Sequence, residues 1–231
     1  MKMKYGLSSV LALGFAIAAW GLQSGPPPAQ PADKGPTLRD TMQFIQEKLS
    51  EQGKFGWVIS YSIQPGFTYR RFFNIADVMA DPATCTLYAT ETTDLTIELP
   101  KGGTLKPGGS VTADDLHTLT IETDTISFKK IEKITVEKLQ DFLNQSYAEA
   151  VHPEFNVTVT PPVFYVKLWA SNAVFSAHIS TTKGKQAPVE KDVTSKVGGI
   201  TIRDEETANK LAKAMTHAME LCGGGAEKEL F

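Results

Sequence analysis

The chain has few of the residues that metal proteins and many enzymes depend on. Of 231 residues, four are histidines and two are cysteines. His117, His152, His178 and His217 never stand at metal-ligand spacing, and no H-E-x-x-H occurs. Two cysteines without nearby histidines make a poor zinc site, so no metal and no other cofactor is expected. The G-x-S-x-G elbow of a serine hydrolase is missing. Ser127-Phe128-Lys129-Lys130 and Ser180-Thr181-Thr182-Lys183 match S-x-x-K. Both fall in strand or loop patterns, without the S-D-N and K-T-G companions that this chemistry needs. Lys101-Gly102-Gly103 and Pro107-Gly108-Gly109-Ser110 lack phosphate-loop spacing and read as turns. Charge of one sign is also lacking. Twenty-three basic against 26 acidic residues leave a net charge of −3, with both signs interspersed. Without a basic stripe, nucleic-acid binding is disfavoured. The one dense basic run, Lys129-Lys130-Ile131-Glu132-Lys133, suits the wet edge or face of a strand. No catalytic residue is assigned.

Long apolar runs are missing except at the start. Lys2 and Lys4 precede an uncharged stretch from Gly6 to Trp20, the polarity and length of an export signal. Ala16-Ile17-Ala18, Ala19-Trp20-Gly21 and Leu22-Gln23-Ser24 are alternative cleavage contexts. Residues 1–24 are read as a signal peptide. If the segment stays uncut, residues 5–22 are at the lower length limit for a membrane tether. Either outcome puts the remainder outside the cytoplasm, periplasmic or secreted. Residues 25–36 form a proline-rich spacer. A single domain is expected over 37–225, with a loose tail at 226–231. In an oxidising compartment, Cys85 and Cys222 are expected to form a disulfide. Closing so long a loop contributes on the order of 4–5 kcal/mol in the chain-entropy model. Two separate buried thiols are the alternative.

The domain reads as strands between two helices. Thr37 and Asp40 make a capping-box pattern, and Leu38, Met42, Ile45 and Leu49 form one helical stripe before Gly53. Strand patterns run over Phe55–Ile63, with Trp57, Ile59, Tyr61 and Ile63 on one side, and over Phe67–Met79, Cys85–Thr90 and Asp94–Leu99. Further strands are expected over Leu116–Glu122 and Thr125–Val136. Glu137–Ala150 suits a short helix. Phe155–Thr160 and Val163–Ala170 flank Pro161-Pro162, which implies an edge or corner. Val174–Ser180 and Gly199–Ile202 are the last strands, with a polar loop from Thr181 to Lys196 between them. Asp204 caps a final helix whose apolar face is Ala208, Leu211, Ala212, Met215, Met219 and Cys222, stopped by Gly223.

The expected fold is α+β: an antiparallel, curved sheet or half-barrel with an N-terminal helix and a C-terminal capping helix. This element order is similar to pleckstrin-homology-like domains. The segment from Ile202-Arg203-Asp204-Glu205-Glu206 to Glu220-Leu221-Cys222-Gly223-Gly224, with Asp81-Pro82-Ala83-Thr84-Cys85, resembles a signature of uncharacterised exported bacterial proteins. The resemblance implies an exported bacterial domain with both cysteines in matched places, and no activity. The leading functional expectation is a non-catalytic extracytoplasmic binding or interaction module for an unidentified protein or envelope component. It would present the Leu99–Ser110 and Thr181–Lys196 loops. The alternatives are a secreted hydrolase assembled from dispersed residues (His117, His152, Asp114, Asp115 and Glu154) and a membrane-anchored envelope assembly factor.

Overall fold

The computed structural model describes residues 35–61, 67–99, 116–150, 156–172 and 175–225, with backbone only for 147–150. The chain divides into two units, Met1–Gly35 and Pro36–Phe231. The fold lies in the second.

Helix α1 (Leu38–Ser50) opens with a reciprocal cap. The Asp40 amide donates to the Thr37 hydroxyl, and the Thr37 amide donates to the Asp40 carboxylate. Both donors would otherwise be orphans at a helix start. The 3.6-residue period puts Met42, Ile45 and Leu49 on one buried face. The chain then runs through β1 (Phe55–Tyr61), β2 (Thr68–Asp81), β3 (Thr86–Glu98), β4 (His117–Ser127) and β5 (Lys133–Lys138). Helix α2 (Leu139–Ala150) follows, then β6 (Val157–Thr160), β7 (Phe164–Trp169), β8 (Phe175–Lys183), β9 (Val189–Ser195) and β10 (Val197–Ile202). Helix α3 (Glu205–Leu221) ends the fold, its first turn capped by Asp204, which accepts the Thr207 amide.

Seven strands form one sheet in the order β6-β1-β2-β3-β4-β8-β9, and three form a second in the order β10-β7-β5. Every strand pairing among the described residues is antiparallel. The result is an α+β architecture: a curved, unclosed sheet with a helix at each end of the chain. Helix α3 packs on α1 and on the small sheet, and α1 packs on β2. Their shared core includes Leu211, Met215, Ile45, Leu49, Leu168 and Ile202, each fully buried.

The far end of this core is pinned covalently. Four residues, Pro82–Cys85, turn the chain from β2 into β3. The Asp81 carboxylate accepts from the Ala83 amide and the Thr84 hydroxyl. Cys85 closes the turn with φ +61° and is joined by a disulfide to Cys222, the C-cap of α3, across 137 residues of sequence. Beyond it Gly223 takes φ +78°, and Gly223 and Gly224 return hydrogen bonds to the Glu220 and Met219 carbonyls. That pair of bonds satisfies carbonyls that a helix end leaves open. The Gly225 amide then bonds the Ile131 carbonyl.

Several boundaries differ from the sequence pattern. Cys85–Thr90 and Asp94–Leu99 are parts of one strand, because Glu91, Thr92 and Thr93 continue the ladder. Leu116–Glu122 and the start of Thr125–Val136 are likewise one strand, β4. The expected second strand is instead cut by a 3₁₀ turn at Phe128–Lys130. That turn buries Phe128 and Ile131, so the basic run is not a strand face. The expected polar loop at Thr181–Lys196 is mainly a hairpin. β8 continues to Lys183 and β9 pairs with it from Val189. An edge strand with one solvated face and a half-open other face has little apolar alternation to betray it. Pro161-Pro162 does lie beside an edge, since β6 ends the large sheet. Ile63 and most of Leu99–Ser110 lie outside the described residues.

Candidate functional site: an acidic cavity under the curved sheet

Side chains alternate across a strand, so one parity of each strand faces the inside of the curve. On β3 that parity carries Leu87 and Ala89, both buried, and then Glu91. On β4 it carries buried Ile126, then Asp124 and Glu122. The register places Glu91 directly opposite Glu122, and Asp124 between Ala89 and Ala177 of its two neighbouring strands. Like charges directly opposed on a sheet are destabilising. The two small alanines leave room beside Asp124 where larger apolar residues would have filled it.

The three carboxyl groups line a cavity of about 290 Å³. Its aromatic walls are Trp57, Phe73, Phe175 and Tyr165. Gly198 and Gly199 on β10 let two of these rings close in. A Cβ on Gly198 would lie 2.7 Å from the Phe175 ring, and one on Gly199 would overlap Tyr165. Tyr165 is further held by stacking on Phe142 of α2, with centroids 4.7 Å apart. On the neighbouring strand, Glu137 lies opposite Tyr165 and pairs with Lys167 at 3.3 Å.

Desolvation dominates the electrostatics. Burial, then the charges of Asp124 and Glu122, holds Glu91 well above its ordinary 4.5. Burial, then the Glu122 charge and a hydrogen bond to Glu122, pushes Asp124 up to about 7. Burial also raises Glu122, while the bond from Asp124 opposes that rise. Asp124 is therefore the proton-bearing donor and Glu122 the acceptor. Burial and the surrounding carboxylates raise the Tyr165 phenol as well. Buried carboxyl groups of this kind, in a concave site, are where function concentrates.

Three buried polar atoms in this lining have no hydrogen-bond partner: Trp57 Nε1, Arg71 Nε and Glu91 Oε1. Trp57 is only 4% exposed, so its indole N–H has no recourse to bulk water. Such groups are uncommon in folded proteins and costly when truly unmet. Among the described residues, no three His, Cys, Asp or Glu side chains come close enough together to hold a metal ion.

The residues singled out from sequence lie elsewhere. Cys85 and Cys222 are at the pinned end and do not line the cavity. His117 is exposed and paired with Asp94 at 2.9 Å. His178 is exposed between Asp192 and Glu190, and its hydrogen bond to Asp192 raises its pKa. His217 donates to the Pro36 carbonyl. Asp114, Asp115, His152 and Glu154 lie outside the described residues. The cavity residues went unassembled because their strand phases were not fixed by sequence. Glu91, Glu122 and Asp124 sitting at the parity of Leu87, Ala89 and Ile126 was the available signal.

No protein-family model matches the chain, and no curated protein or solved structure matches it. Among the described residues, no helix is long and apolar enough to cross a membrane. The disulfide is compatible with a location outside the cytoplasm.

Proposed function

We propose that the chain is an extracytoplasmic, non-catalytic binding protein whose ligand site is the cavity under the curved sheet. The observation that carries this reading is the set of unpartnered buried polar atoms in the lining of one cavity: Trp57 Nε1, Arg71 Nε and Glu91 Oε1. A fold selected only for stability would pair or replace them. Aromatic walls with a few convergent polar groups are the usual make-up of a small-molecule site. The proposal includes export of the domain to the periplasm or medium, and its kinship with exported bacterial proteins of the Glu-Leu-Cys-Gly-Gly type. Titration of oxidised protein with a panel of small polar compounds tests it. The Trp57 indole N–H and Arg71 Nε–H resonances are expected to shift with at least one class. A folded protein in which neither resonance moves with any class sinks the reading.

One observation favours a second reading. Asp124 and Glu122 share a hydrogen bond, and Asp124 titrates at about 7. A carboxyl pair with one proton near neutral pH suits general acid–base chemistry, as in a secreted hydrolase. Turnover abolished by both Asp124→Asn and Glu122→Gln, with ligand binding retained, would favour the enzyme over the binding protein.

A further inference from the structure

The cavity has two chemically opposite poles. Trp57 and Arg71 are directly paired across β1 and β2. Both point unpartnered N–H donors into buried space, and Arg71 forms no ion pair among the described residues. This is a donor pole. Glu91, Glu122 and Asp124 form the acid pole on β3 and β4. Arg71 lies level with Leu95 on β3, four residues along that strand from Glu91. At the usual strand rise that separates the two levels by about 13 Å of backbone. Arg71 is not among the charges that influence Glu91.

A guanidinium and a carboxyl cluster in one low-dielectric cavity gain most by pairing with each other, and leaving them unpaired is expensive. Here the fold holds them apart, on different strands at different levels. We propose that the cavity takes a zwitterionic small molecule of the ω-amino-acid class. Its carboxylate lies against Trp57 and Arg71, and its ammonium group lies at Glu91, Glu122 and Asp124. The carboxylate accepts the two orphan N–H donors, and charge-assisted bonds of this sort are the strong ones. The ammonium group donates to the orphan Glu91 oxygen and separates the opposed carboxylates. The apolar stem packs against Phe73 and Phe175, and the ammonium end gains further from the aromatic walls. A carboxyl cluster of this kind suits a donor with several N–H groups.

This inference rests on the cavity being a binding site, and the test separates the two. Oxidised wild-type protein is titrated with 6-aminohexanoate, n-hexylammonium and hexanoate, probes that share one stem and differ only at their ends. Binding is read by calorimetry and by the Trp57 indole resonance. The zwitterion is expected to bind at least tenfold more tightly than either single-ended probe. Arg71→Met is expected to lower its affinity to that of n-hexylammonium, and Glu91→Gln to lower it at least tenfold. If n-hexylammonium or hexanoate binds as tightly as 6-aminohexanoate, the two-pole inference is wrong while the binding reading stands. If none of the three binds and another class of compound shifts the indole resonance, the ligand class is wrong and the binding reading again stands. Because the three probes are compared on wild-type protein, a variant that fails to fold does not affect that comparison.

Discussion

The two ends of this fold solve the problem of polar groups in opposite ways. At the pinned end, where α3 meets α1 and the β2–β3 turn, most groups that structure leaves open are met, with Thr41 Oγ1 on α1 the exception among the described residues. The Asp81 carboxylate accepts two bonds, Gly223 and Gly224 close the α3 terminus, and Cys85 is bonded to Cys222. Gln46 reaches across to the Ala80 amide, and Gln52 to the Arg203 amide. Fully buried Leu211 and Met215 pack in this region, beside a groove between α1 and α3 lined by Thr41, Phe44 and His217. Under the curved sheet the reverse holds. Carboxyl groups face one another, a tryptophan N–H and an arginine N–H lack acceptors, and space is left open. The contrast teaches that one β-scaffold separates a region optimised for stability from a region that retains unmet chemistry. The second is where a ligand has something to contribute.

Four perturbations sharpen or break that contrast, taken from the largest expected effect down. Replacing both Cys85 and Cys222 by alanine removes a covalent tie across 137 residues. Loop-closure entropy makes the expected loss about 5 kcal/mol, measured as the shift in denaturant midpoint against oxidised wild type. Leu211→Ala opens a void at the fully buried centre of α3 and should cost about 3 kcal/mol by the same measurement. Glu91→Leu should act in the opposite direction. It removes a buried carboxyl facing Glu122, and a gain of about 1–2 kcal/mol is expected, together with lost uptake of 6-aminohexanoate. A loss of stability from Glu91→Leu would show that the acid pole is structural and would collapse the contrast.

The fourth is the pH dependence of stability. Asp124 is raised from the ordinary 3.8 to about 7 in the folded protein. Its contribution is therefore fully present below about 3.8 and is lost as pH rises through about 7. Urea midpoints between those limits should fall with rising pH, and Asp124→Asn should flatten the slope. A slope unchanged in Asp124→Asn would place the titration elsewhere. Glu91 and Glu122, both raised, act in the same direction and leave a residual slope.

The elements with strong local signals were legible. Helix α1 begins at the Thr37 cap, and α3 begins at Asp204 and stops before Gly223. Their buried stripes, Met42-Ile45-Leu49 and Ala208-Leu211-Met215, follow the helical period. The Trp57 and Ile59 face of β1 was also readable from alternation, and both side chains are buried. The phase of β4 was not. Leu119 and Ile121 are apolar at one parity and Glu122 and Asp124 acidic at the other, so alternation alone turns the acids outward. The ladder decides otherwise. Leu87 and Ile126 are paired and buried together, and that register turns Glu122 and Asp124 inward and leaves Ile121 40% exposed.

By itself, the sequence determined the local elements: caps, helical stripes, turn residues and the α+β class, each set by interactions within a few residues. It also determined that Cys85 and Cys222 had only each other as intramolecular partners. The tertiary structure alone decided the cavity. Strand phase and register are set by pairings between residues distant in sequence, and one residue of slip moves every side chain to the other face. The facing of Glu91 on Glu122, and of Trp57 beside Arg71, is a property of those pairings, invisible until the ladder is closed.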